Sequence, residues 1–255
     1  MTTTPIDAAA AARPFRLPRA GAPLLALCAV AGFSALFVLF PQIDIAVSGL
    51  FHDPAQGFAA SHMPGLKLLR KSSTWVMAVL LGLALWRLCR ACRGAAGSRL
   101  GVMRPALCVM AGLALGPGLL VNAVLKEWWG RPRPIQVDLF GGDAPFAAAW
   151  RITDACASNC SFVSGEASSA AWMAGAVLIL APGRILLASG VALYGAALSL
   201  NRLAFGGHFL SDILLAWAMT GLVLAILHRL TVAEAGRGHV GDFRARFLAS
   251  TAPRA

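Results

Sequence analysis

Six blocks of apolar residues, separated by short polar segments, set the pattern of this chain. They fall at 22–40, 73–90, 105–125, 166–182, 185–201 and 209–228. Each block has about 17–21 residues, and a helix of about 20 apolar residues crosses a hydrocarbon core of about 30 Å. The pattern therefore predicts an all-α polytopic membrane protein with six transmembrane helices. It predicts a membrane domain over 21–230, preceded by a tail at 1–20 and followed by a basic tail at 231–255.

The composition agrees with a membrane protein, because 58% of the 255 residues are hydrophobic and only 13% are charged. The net charge of +11 needs separate treatment, since a basic protein can bind nucleic acid. Six spans place 14 basic and 3 acidic residues on the side that holds both termini, and 8 of each on the other side. An excess of Lys and Arg marks the cytoplasmic side. The charge therefore predicts cytoplasmic termini in a bacterial-type inner (plasma) membrane and affinity for anionic lipid, with no nucleic-acid partner.

Polar residues that can carry chemistry gather on the other side of the membrane, which is the outer side. Two stretches hold most of them, 126–134 and 201–212. An ionisable group next to a hydrocarbon core is costly, and such groups usually have a function. The six-span topology brings one set of residues to the outer ends of spans three to six: Lys126, Arg133, Ser164, Glu166, Arg202, His208 and Asp212.

The spacing of these residues resembles the three-part signature of the type 2 phosphatidic acid phosphatase superfamily. The parts are Lys126-x6-Arg133-Pro134, then Ser164-Gly165, then Arg202-x5-His208-x3-Asp212. Three linked motifs are far more specific than any one of them alone. The resemblance implies a helical phosphatase core over 103–230 and a lipid phosphate as the substrate. It implies no metal and no other cofactor, because the cations are side chains.

The residue types suit the binding of a phosphoryl group. Cationic side chains and backbone N–H groups stabilise the charge that spreads over the phosphoryl oxygens during transfer. Lys126, Arg133 and Arg202 supply the cations. The predicted helix N-terminus at Ser164 and Gly165 supplies N–H groups, and the Ser164 hydroxyl can add another donor.

The catalytic roles follow from the resemblance and from one departure from it. The family's nucleophile corresponds to His208, which forms a phosphohistidine while Asp212 holds the other ring nitrogen. The family's middle motif usually has a histidine after the glycine, which protonates the leaving oxygen and later activates water. This chain has Glu166 in that place. Glu166 can do both jobs only if burial keeps its carboxyl protonated near neutral pH, and the neighbouring cations oppose this.

Three functions stay open on the sequence. The first is a lipid phosphatase that uses Glu166 as acid and base. The second is a phosphotransferase that passes the phosphoryl group to an acceptor, and the third is a non-catalytic phospholipid-binding protein. Structural roles are an alternative for the single residues: His208 as an interface residue, Asp212 as a helix cap, and Arg133 and Arg202 as snorkelling anchors. Candidate substrates are undecaprenyl pyrophosphate, phosphatidylglycerol phosphate, phosphatidic acid and a lipid A phosphate.

Further expectations concern the outer segments. The segment 41–72 is amphipathic and is expected to lie along the membrane interface, with the second span opening after 72–74. Arg131, beside Arg133, is expected to make at most an auxiliary contact with a headgroup. Cys156 and Cys160 either form a disulfide, which an oxidising outer compartment permits, or remain two free thiols.

Overall fold

Helices account for nearly all the regular structure of the protein. The computed structural model describes residues 21–93 and 99–233, so most of the predicted tails lies outside the described residues. The main helices are α1 (Ala22–Leu39), α2 (Gln42–Gly49), α3 (Pro64–Arg93), α4 (Arg99–Trp128), α5 (Gly165–Leu180), α6 (Ile185–Ala204) and α7 (Leu210–His228). The predicted all-α class is confirmed.

Five helices in the described part are long and apolar enough to cross a membrane. They are α1, α3, α4, α6, and α7 with its extension to Thr231. The fourth predicted span corresponds to α5, which has only 16 residues and would extend for about 24 Å. Its side chains are mostly small and buried, because α5 packs against α3, α4, α6 and α7. Helix α5 is therefore the central helix of the bundle rather than a lipid-facing one.

Helix α3 begins earlier than the sequence pattern predicted. It starts at Pro64 and runs without interruption to Arg93. The hydroxyls of Ser72 and Ser73 do not cap a helix; they donate to the carbonyls of Leu69 and Arg70, each at 2.7 Å. A serine that bonds to the preceding turn is tolerated inside a helix. The expectation of a separate segment lying along the interface is therefore wrong for 64–72, which forms the first turns of α3.

Small residues bring α4 and α7 close together. A Cβ atom added at Gly112 would overlap the side chain of Leu224, and one at Gly116 would lie 3.4 Å from Cγ2 of Thr220. The second half of α4, Ala114–Leu125, is a π-helix that contains Pro117. Proline has no N–H to donate, so the regular α-helical hydrogen bonding cannot continue through it.

Buried aromatic residues anchor the helices and the loop after α4. Trp172 of α5 is fully buried and its indole N–H donates to the carbonyl of Val109 at 2.8 Å. In the loop, Trp129 stacks on Phe162 and also contacts Trp150. This packing fixes the loop over the end of the bundle where the predicted site residues lie.

Candidate active site

The predicted site residues come from four helices and two connecting segments at one end of the bundle. Four of them occupy helix ends: Lys126 the last turn of α4, Glu166 the first turn of α5, Arg202 the last turn of α6 and Asp212 the first turn of α7. His208 lies in the link between α6 and α7, and Arg133 in the loop after α4. Helix ends carry polar residues at low cost, since part of the backbone there is unpaired.

His208 is fully buried, and its hydrogen bonding defines which nitrogen is free. Its Nδ1 lies 2.8 Å from the carbonyl oxygen of Ser161. A carbonyl can only accept, so Nδ1 carries the proton of a neutral ring. Nε2 then has a lone pair, and it has no hydrogen-bond partner among the described residues. The nearest acidic atom is Oε2 of Glu166, 3.7 Å from Nε2.

Asp212 lies beside the His208 ring without a hydrogen bond to it. Its Oδ2 is 3.8 Å from Nδ1 of His208, while it accepts hydrogen bonds from the Ser161 hydroxyl at 2.5 Å and the Phe209 N–H at 2.9 Å. The Nδ1–H of His208 therefore donates to the Ser161 carbonyl, whereas the resemblance implied Asp212 as its partner. Asp212 caps α7 and provides negative charge near the imidazole.

Arg131 is a buried structural cation and not a headgroup contact. Its guanidinium donates to Oδ1 of Asp212 at 2.7 Å and to Oδ2 of Asp44 at 2.9 Å. All three side chains are fully buried. Asp44, from α2, also accepts from the N–H of Ser211 at 2.8 Å. Burial raises the pKa of Asp44, and the charge of Arg131 opposes that rise. This cluster fixes Asp212 from the side away from His208.

Glu166 lies among cations in front of His208. Its Oε1 accepts a hydrogen bond from Nε of Arg70 at 3.0 Å and lies 3.5 Å from Nε of Arg202. Two guanidinium groups stabilise an ionised carboxylate. General acid–base catalysis by Glu166 requires that burial keep its carboxyl neutral. These neighbours favour the ionised form instead, so they do not meet that condition. Arg202 is 3% exposed and its Nε has no hydrogen-bond partner among the described residues, so it can accept an anionic ligand.

Asn159 joins the two cations of the first motif. Nζ of Lys126 donates to Oδ1 of Asn159 at 3.2 Å, and Nη2 of Arg133 donates to its carbonyl oxygen at 2.7 Å. Burial lowers the pKa of Arg133, and the nearby Glu166 carboxylate counteracts the shift. Asn159 belongs to a short loop that a disulfide between Cys156 and Cys160 closes.

The turn before α5 places backbone next to the cations. Ser164 caps α5, because its hydroxyl oxygen accepts from the N–H of Ala167 at 3.3 Å. Its own N–H donates to the carbonyl of Asp212 at 3.1 Å. At Gly165 an added Cβ would lie 2.9 Å from Oδ1 of Asn122 and 3.3 Å from Nζ of Lys126. The absence of a side chain at Gly165 therefore lets the N-terminus of α5 lie close to Lys126.

A cleft of about 750 Å³ opens beside Glu166, between α3, α4 and α5. Lys126, Gly165 and Glu166 line one part of it, and the first turns of α3 line another. Within the residues that the structure describes, no three His, Cys, Asp or Glu side chains are grouped to hold a metal ion.

Several residues of this site were not identified from the sequence. Arg70 contacts Glu166 from 96 positions away along the chain, and Ser161 contacts His208 from 47 positions away. Asp44 reaches Asp212 through Arg131, which bonds to both carboxylates. One signal was available for Asp44, since an acidic residue directly after the first apolar block is as costly as those in the known motifs. Ser161 and Asn159 offered no such signal.

Similarity to known proteins extends over most of the chain. The model of the PAP2 superfamily matches residues 105–235. A protein of Rhizobium leguminosarum named lipid A 4'-phosphatase is 39% identical over 217 residues, which are 78% of this chain and 92% of that protein. A protein of the same name from Rhizobium etli is 46% identical over 123 residues, 48% of each chain. Another, from Francisella tularensis subsp. novicida, is 40% identical over 123 residues, 46% of this chain and 55% of its own. No solved structure matches significantly.

Proposed function

The chain belongs to the PAP2 superfamily, and from this membership and the geometry around His208 we propose that it removes a phosphate group from lipid A or a closely similar glycolipid. Because it belongs to this superfamily, the chain is a membrane phosphatase. The single observation that supports the reaction most directly is the free Nε2 of His208, which is buried and faces a carboxylate that lies 3.5 Å from Nε of Arg202. The named relatives support lipid A among the four candidate substrates.

The first step of the proposed reaction is attack by His208. The substrate phosphate binds to Lys126, Arg133 and Arg202, and it takes the place of the Glu166 carboxylate in front of Nε2. Nε2 attacks the phosphorus, a P–N bond forms, and the P–O bond to the sugar breaks. Nδ1 keeps its proton, because its N–H donates to the Ser161 carbonyl, so the attacking nitrogen is always Nε2.

Glu166 supplies the proton that the leaving sugar oxygen needs. Without substrate its carboxylate is held by Arg70 and Arg202. A bound phosphate occupies Arg202 and brings negative charge beside the carboxyl, and like charge favours its neutral, proton-donating form. The displaced Glu166 side chain therefore becomes the general acid.

In the second step Glu166 accepts a proton from water. The water oxygen attacks the phosphorus, the P–N bond breaks, and inorganic phosphate leaves while Nε2 regains its lone pair. Asp212, with Oδ2 3.8 Å from Nδ1, stabilises the positive charge on the ring of the phosphohistidine. No further reactant is required.

The proposal includes the position of the site in the membrane. We propose that α5 is a sixth span within the domain 21–230, that both termini are cytoplasmic, and that the site lies on the outer side. The distribution of Lys and Arg supports this orientation. The lipid phosphate would then approach from the outer leaflet.

Phosphate release by the purified full-length protein tests the function. Lipid A, undecaprenyl pyrophosphate, phosphatidylglycerol phosphate and phosphatidic acid are compared, and we expect the highest kcat/KM on lipid A. His208→Ala should lower it by about a thousandfold or more. His62→Ala is the matched control, since His62 is exposed and outside the site, and should retain activity.

Three outcomes would contradict the proposal. Equal release by the His208→Ala protein would remove His208 as nucleophile. Accumulated phosphoprotein without free phosphate would point to transfer to an acceptor. A higher kcat/KM on another member of the panel would replace lipid A as the substrate.

A further inference from the structure

Helix α3 presents a row of polar side chains to the cleft beside Glu166. Lys67, Arg70, Lys71 and Thr74 recur at the i, i+3, i+4 and i+7 positions that share one helix face. All four line the cleft. With a rise of 1.5 Å per residue, this face extends for roughly 10 Å along α3. We refer to Lys67, Arg70 and Lys71 as the α3 cations.

The α3 cations give the cleft more positive charge than its own acidic groups can balance. Its lining contains four cations, the three from α3 and Lys126, against the single carboxylate of Glu166. The net charge of the lining is therefore +3. Arg70 alone of the α3 cations has an acidic partner in the described part of the chain, and Lys67 and Lys71 have none. A cleft with unbalanced charge of one sign attracts ions of the other sign.

The reacting phosphate does not account for this excess. Of its three ligands only Lys126 lines the cleft, whereas Arg202 and Arg133 do not, so the α3 cations are left over. Arg202 is buried behind Glu166, whereas Lys67 and Lys71 are exposed on another helix. Two cations link the two places: Lys126 lines the cleft and also binds the reacting phosphate, and Nε of Arg70 contacts Glu166. The cleft therefore offers a second position for negative charge next to the first.

We propose that the α3 cations bind a second anionic group of the same lipid, a phosphate or carboxylate that is retained when the first phosphate is removed. This inference rests on the proposed function. It restricts the preferred substrate to glycolipids with two anionic groups on one headgroup. A row about two helical turns long suits a headgroup larger than one phosphate.

Steady-state kinetics on two lipids test this subsite. The probes are lipid A with both of its phosphates and lipid A with the 4'-phosphate alone, each presented in neutral detergent micelles. For the doubly phosphorylated lipid, Lys67→Ala/Lys71→Ala should raise KM about tenfold and leave kcat nearly unchanged. The effect on the singly phosphorylated lipid should be less than about twofold. Arg151→Ala removes an exposed cation outside the cleft and serves as the matched control.

Equilibrium binding separates failure of the subsite from failure of the proposed function. The His208→Ala protein should bind the doubly phosphorylated lipid about tenfold more tightly than the singly phosphorylated one. Adding Lys67→Ala/Lys71→Ala should remove that difference. Equal binding of the two lipids would overturn the subsite, whether or not the unmodified protein releases phosphate.

Kinetics with added phosphatidylglycerol distinguish binding of the substrate from binding of the surrounding phospholipid. If the α3 cations bound bulk anionic lipid instead, phosphatidylglycerol in the micelles would change the KM of the singly phosphorylated lipid. That change would have to disappear in Lys67→Ala/Lys71→Ala. This result would overturn the proposal, and a KM that does not respond to phosphatidylglycerol would support it.

Discussion

Among single residues, we propose that Glu166 controls the turnover of the phosphoenzyme. Its carboxylate lies between Arg70 and Arg202 and faces Nε2 of His208. Glu166→Gln keeps the size of the side chain and removes its ability to exchange a proton. We expect kcat to fall by about 10²–10⁴-fold, the usual contribution of a general acid–base group. The rate of phosphate release at saturating lipid concentration measures this change in kcat.

Substituting histidine tests the same role from the other direction. Glu166→His should retain more activity than Glu166→Gln, because imidazole can donate and accept a proton near neutral pH. The two variants should bind lipid with similar affinity when combined with His208→Ala. A Glu166→Gln protein with unchanged kcat would exclude Glu166 as the acid and base, and would leave it as an anion that merely occupies the empty site.

At the level of elements, the buried cluster of Arg131, Asp44 and Asp212 connects α2 to the start of α7. Arg131→Met leaves Asp44 and Asp212 buried without a compensating cation. Breaking a buried pair from one side costs about 3–5 kcal/mol. We expect a lower midpoint of thermal unfolding in detergent and loss of phosphate release.

A double variant separates charge from packing in this cluster. Asp44→Asn/Arg131→Met removes one carboxylate together with the cation, so it should be less destabilised than Arg131→Met alone. The comparison uses the free energies of unfolding of the two single variants and the double. Additive losses, or an Arg131→Met protein as stable as the unmodified one, would contradict a role for this ion pair.

The same elements show what could be predicted from the sequence. Apolar block lengths located six of the seven main helices. They also placed His208 in the link between α6 and α7 and Asp212 at the start of α7, as the structure has them. The start of α3 was missed because no apolar residue pattern distinguishes the polar first turns of a long helix from an interfacial segment. The roles of Arg131 and Asn159 were missed because they depend on contacts with Asp44 and with the closed disulfide loop, which periodicity does not encode.

For the whole molecule, the length of α5 bears on whether this helix crosses the membrane. Its 16 residues extend for about 24 Å, less than a hydrocarbon core of about 30 Å. A short helix that is enclosed by longer ones need not meet lipid at either end, so this mismatch has a small cost. If α5 crosses, the loop before it and the turn after it lie on opposite sides.

Cysteine labelling of those two connections tests the topology. Asp143 precedes α5, Arg184 follows it, and both are exposed. We propose Asp143→Cys and Arg184→Cys, each in a protein whose free cysteines Cys28, Cys89, Cys92 and Cys108 are replaced by alanine. A membrane-impermeant maleimide applied to the outer side of intact inner membranes should label Asp143→Cys. It should label Arg184→Cys only after permeabilisation.

Each other labelling pattern contradicts a different part of the topology. Equal labelling of both variants from outside would show that α5 does not cross, and the chain would have five spans with its termini on opposite sides. Labelling of Arg184→Cys alone would invert the molecule and place His208 on the cytoplasmic side. The excess of Lys and Arg on the Arg184 side argues against inversion, because such residues are retained in the cytoplasm. Only labelling of Asp143→Cys alone agrees with a lipid phosphate that reaches His208 from the outer leaflet.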